Sequence, residues 1–122
     1  MRTLAAQHNG WHDMRMGSGD DGGSFDSHRR FQVWRYTVSM RQLLLRSTKT
    51  ADVPTRVDVF FQDVQSIDLP TAMDELRVEM TAPREYRLTG KGWSGRVNAA
   101  LVRVAEDGGE YNDPSSLFIG GL

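Results

Sequence analysis

The sequence contains no cysteine, which excludes disulfides, thiolate metal sites and cysteine nucleophiles. It also lacks a long apolar run. The longest, Ala99 to Val102, falls far short of a membrane span. Leu4-Ala5-Ala6, behind Met1-Arg2, is too short for a signal-peptide core. A cytoplasmic protein that does not engage a membrane is expected. Histidine is scarce: His8, His12 and His28 all lie in or beside the first 27 residues. A Ser–His–acid site would therefore need that segment to fold over the rest of the chain. Lysine is scarce too, with two against 13 arginines. Coding bias in a GC-rich genome explains such a ratio, and its chemical effect is a surface of planar forks suited to carboxylate or phosphate.

What is present suits one globular domain. The 122 residues are 39% hydrophobic and 25% charged, enough apolar material for a core at this length. The formal net charge is −1, but it is unevenly spread. Residues 1–27 carry −2, residues 28–105 carry +5 and residues 106–122 carry −4. A basic body between acidic ends can attract an anion. A surplus of this size is small for a nucleic-acid binder, so nucleic acid is disfavoured as a partner.

Residues 1–27 read as a flexible appendage, because Met16 to Ser24 offers little beyond Met16 to bury. Thr3 to Met14, with Leu4, Trp11 and Met14, could dock as a short strand or helical turn. Residues 28–122 read as a single β-rich domain. Its scaffold is Phe31 to Phe61, three strands in succession. Ser39 to Gln42 makes the first hairpin loop, pairing Val38 with Leu43 and Tyr36 with Leu45. Trp34, Tyr36, Val38, Leu43, Leu45, Val57, Val59 and Phe61 then share the inner face. In the second hairpin, setting Arg56 opposite Arg46 costs stability. The register that sets Asp58 opposite Arg46 and Phe60 opposite Leu44 is favourable and is preferred.

Further on, Gln62-Asp63-Val64 breaks the alternation at a bulge or tight turn. A short strand follows through Ile67 and Leu69, Thr71 to Glu75 reads as a turn or one helical turn, and Leu76, Val78 and Met80 alternate cleanly with charged residues. Tyr86 and Leu88 open another strand. Arg96 to Ala105 has a helical stripe but also three β-branched valines, and is assigned to strand. The expected fold is all-β, an antiparallel β-sandwich or open barrel of about seven short strands. The alternative is α+β with a helix near 96–105.

No catalytic set emerges. Gly90-Lys-Gly-Trp-Ser-Gly95 fits G-x-G-x-x-G, but no second parallel strand follows, so a glycine-rich hairpin loop is expected rather than a dinucleotide site. His8 and His12 have a metal-binding spacing on poor helix, and no metal or cofactor is expected. Asp58, Asp63 and Asp68 alternate faces on regular strand and do not converge.

The favoured function is a small non-catalytic β-domain that binds a protein partner or itself. The expected interface is an outward patch of Phe31, Val33, Leu44 and Phe60, covered by a second copy in a homodimer or by Leu117-Phe118-Ile119. The alternative is a small-molecule anion-binding protein or small enzyme using a basic sheet face. Arg35 beside Arg46, with Asp58, would form that site, and Trp93 would contribute from a loop. Single-stranded nucleic acid on the same aromatics is the third reading.

Overall fold

The structure is a computed structural model that describes residues 11–14, 24–110, 112–115 and 117. It is all-β, with no helix in these residues. Nine strands are formed: β1 (Trp11–Met14), β2 (Ser24–Thr37), β3 (Gln42–Ser47), β4 (Arg56–Gln62), β5 (Ser66–Asp68), β6 (Ala72–Ala82), β7 (Glu85–Gly90), β8 (Trp93–Asn98) and β9 (Leu101–Asp107). They make one antiparallel sheet in the order β1-β9-β4-β3-β2-β6-β7-β8-β5, which does not close into a barrel.

The sheet folds back on itself, and β2 is where it turns. This 14-residue strand pairs with β6 along Ser24 to Gln32 and with β3 along Gln32 to Thr37. Two register shifts, between Ser27 and Arg30 and between Val33 and Arg35, bend it. The consequence shows in the core. Phe61 on β4 and Tyr86 on β7 sit four strand positions apart, about 19 Å along a flat sheet, yet their ring centroids are 5.7 Å apart. Phe31, Leu43, Leu45, Val59, Met73, Leu88, Val97 and Val102 fill the space between the halves. The links β4–β5 and β8–β9 cross from one half to the other and are joined by Gln65 N–H to Asn98 O and Ala100 N–H to Gln62 O. Arg84, in the β6–β7 turn at φ 67°, adds bonds to Asp63 and Asn98.

The second hairpin has the preferred register, with Arg46 opposite Asp58 and Leu44 opposite Phe60. The first differs from expectation. Its loop is Val38 to Arg41, so Tyr36 faces Leu43, and Arg35 faces Leu44 rather than Arg46. A slip of two residues preserves the faces. The bulge at Trp34 inverts them for everything before it, which places Phe31 in the core at 0% exposure and turns Trp34 outward. Val38, expected inside, is 76% exposed beyond the end of the strand.

Other boundaries move as well. Thr71 to Glu75, read as a turn or one helical turn, is mostly strand, with Glu75 at φ 66° opposite the two residues His28-Arg29 that bulge from β2. The stretch 96–105 contains a corner at Ala99-Ala100 that separates β8 from β9. That split, together with β1, accounts for nine strands instead of seven. β2 begins at Ser24, and Phe25 is buried in the core, so the domain starts inside the stretch read as an appendage. Backbone pairing puts Trp11–Met14 on the edge of β9. The flexible linker expected over Met16 to Ser24 lies, up to residue 23, outside the described residues, as do His8, Phe118 and Ile119.

Candidate functional site

The sheet has two outer faces, one in each half, and they treat arginine differently. On the outer face of β3, β4 and β9, alternation directs Arg46, Asp58, Arg56 and Phe60 outward while Leu45, Val57 and Val59 enter the core. Arg46 donates through Nε to Asp58 Oδ1 at 2.7 Å and through Nη2 to Oδ2 at 3.1 Å, with side chains 2% and 1% exposed. The Trp34 ring lies 5.3 Å from the guanidinium carbon. This pair was expected to bind a ligand. It is instead a closed, buried fork whose charges satisfy each other.

Arg56 is bound more completely still. It donates to both oxygens of Asp107, at 2.9 and 3.0 Å, and to the backbone carbonyls of Glu110, Asp113 and Pro114. Burial opposes its charge, but the hydrogen bond to Asp107 and the fields of Asp58, Asp107 and Asp113 outweigh that cost and raise its pKa. Those carbonyls belong to the segment after β9, which is thereby strapped across the face. Gly109 packs flat on the guanidinium, where an added Cβ would stand 2.5 Å from its carbon. Leu117 closes over Phe60 and Ala105. The outward patch therefore does not form as expected: Phe31 is interior, Val33 packs against the core, and Leu44 and Phe60 are 1% and 2% exposed.

Arg35 is exposed and has no ion pair or hydrogen bond among the described residues. With Leu44 opposite, it is not half of an arginine pair. Trp93 opens β8 after the two-residue turn Lys91-Gly92, where Gly92 has φ 78°. The glycine-rich hairpin loop is thus present. The indole N–H donates to Asp74 O at 3.0 Å and lies over Gly90, where a Cβ would collide with it. Trp93 ties β8 to β6 rather than reaching for a ligand.

The outer face of β7, β8 and β5 is where unmatched charge collects. Tyr86, Leu88 and Val97 enter the core, which turns Glu85, Arg87, Ser94 and Arg96 outward. Arg87 and Arg96 are direct cross-strand partners, the costly like-charge arrangement. Both are exposed, and neither has an ion pair among the described residues. Beside them stand Asp68, opposite Arg96, and Glu85, two residues before Arg87. Their carboxylates are also unpaired among those residues. The pair lies in an open depression of about 800 Å³ that Ser66, Thr89, Ser94 and Asn98 also line.

Sequence reasoning missed this pair because Arg87 and Arg96 lie on opposite sides of the Gly90–Gly95 stretch read as a break. The signal was the Lys91-Gly92 dipeptide: a two-residue turn there fixes Arg87 opposite Arg96 by counting outward from Gly90 and Trp93. No group of three or more potential metal-binding side chains occurs among the described residues. Comparisons with protein-family models, with curated proteins and with solved structures find no match.

Proposed function

We propose that this chain is a small non-catalytic β-domain that binds an anionic partner on the outer face of β7, β8 and β5. The observation that supports this reading is the Arg87–Arg96 pair, two exposed guanidinium groups placed side by side in a depression without acids bonded to them. Two positive groups on one row repel each other. A carboxylate or phosphate between them removes that repulsion and gains charge-assisted, bidentate hydrogen bonds. Hydroxyl and amide groups of Ser94 and Asn98 stand next to the pair to complete an anion's remaining hydrogen bonds.

The test is thermal unfolding in phosphate and in chloride at equal ionic strength. An anion at ten times its dissociation constant adds about 1.4 kcal/mol, which raises the midpoint of a domain this size by roughly 5 °C. Phosphate should produce such a rise in the parent protein and none in the double variant Arg87→Gln, Arg96→Gln. Equal midpoints in the two salts, or an equal rise in the double variant, would overturn the reading.

A further inference from the structure

We infer that the anion taken by this face also carries hydroxyl groups, as a sugar acid or sugar phosphate does. The inference rests on the anion reading above and adds the ligand's class. Its basis is the pair of carboxylates that share the depression. Asp68 is the direct cross-strand partner of Arg96, and Glu85 is the partner of Asn98. Both line the same depression as the arginines, and neither makes an ion pair among the described residues.

An ionised carboxylate only accepts hydrogen bonds. Asp68 and Glu85 therefore repel a bare anion that settles between Arg87 and Arg96, and they have nothing to offer its oxygens. A ligand with hydroxyl donors reverses that balance. Its acid group bonds to the guanidinium forks while its hydroxyls donate to the two carboxylates. The spacing suits a compact ligand. Adjacent strands lie about 4.8 Å apart, so the backbone positions of Asp68 and Arg96 are one strand apart and those of Asp68 and Arg87 about 10 Å apart. A monosaccharide with an exocyclic acid group covers such a row. Ser66, Thr89 and Ser94, whose hydroxyls both donate and accept, line the remainder of the depression and fit a ligand with many hydroxyls rather than an apolar one.

The experiment compares four probes by calorimetric titration of the full chain: glucuronate against acetate, and glucose 6-phosphate against inorganic phosphate. At least one hydroxylated anion should bind ten-fold or more tightly than its simple counterpart, and which one does so distinguishes a carboxylate from a phosphate ligand. Asp68→Asn and Glu85→Gln should each cut that advantage several-fold while leaving inorganic phosphate binding equal or tighter. Unfolding midpoints without ligand should be unchanged, which shows that both variants fold. If the simple anions bind as tightly as the hydroxylated ones, this inference fails and the anion reading stands. If none of the four binds, both fail. An advantage that survives both substitutions would also overturn the assignment of the carboxylates.

Discussion

The two outer faces of this folded sheet are made from the same residue types and reach opposite electrostatic states. On β3, β4 and β9 each buried arginine meets a carboxylate in bidentate geometry, and a strap of backbone carbonyls takes the donors left over. On β7, β8 and β5 two arginines face each other while two carboxylates stand nearby without engaging them. The difference follows from burial. A charge that loses water must be paired, because an unpaired one costs several kcal/mol. A charge that keeps its water has no such obligation and stays free for a partner. Matched arginines thus mark the part of the surface that builds the fold, and the unmatched pair on β7 and β8 is where an anionic partner is proposed to bind.

The comparison can be broken most sharply at Asp58. Replacing it with alanine leaves Arg46 buried without its partner and should cost about 3–5 kcal/mol, read from urea denaturation midpoints. A cost below about 1 kcal/mol would mean that Arg46 reaches water and that the two faces do not differ as described. Next comes the strap. Arg56→Ala abandons Asp107 and three carbonyls and should cost roughly 3 kcal/mol. Gly109→Ala should cost about 1–3 kcal/mol by pushing the strap off the guanidinium. If Arg56→Ala proves as mild as a surface change, the segment after β9 is not held as described.

On the open face the expected effects are small and can change sign. Arg87→Gln or Arg96→Gln removes a like-charge contact and should change stability by no more than about 0.5 kcal/mol, in the stabilising direction when no binding anion is present. Arg35→Ala, at an exposed position without partners among the described residues, should be silent within the same margin. The smallest effect concerns pH. A raised pKa means that Arg56's contribution is complete below the ordinary guanidinium range and is lost only as pH rises through the folded-state value. The stability difference between the parent and Arg56→Ala should therefore stay constant from about pH 7 to about pH 10. A marked decline across that window would contradict the strong binding of its charge.

How much of this was legible in the sequence depended on how local the deciding interaction was. The pairing of β3 with β4 could be read, because Arg46 faces either Arg56 or Asp58 and only one choice is stable. The class of the fold could be read from alternation. The inward side of Phe31 could not, since it rests on one extra residue at Trp34 whose position depends on β2 serving two partner strands at once. The burial of Arg46 and Asp58 was equally hidden: both were placed on the outward face, but the cover that encloses that face comes from contacts distant in sequence, including Leu117 over Phe60. The Arg87–Arg96 pair was within reach of a stricter reading of the turn, because one two-residue loop determines the register of the whole β7–β8 hairpin.

The central claim, that one face holds satisfied arginines and the other holds arginines free to bind, is tested most directly by following guanidinium Nε–H signals in NMR spectra during a phosphate titration. The account predicts saturable shifts for Arg87 and Arg96, while Arg46 and Arg56 stay fixed and exchange slowly with solvent. Uniform drift of all arginine signals, or saturable movement of Arg46 or Arg56 with Arg87 and Arg96 unmoved, would contradict it.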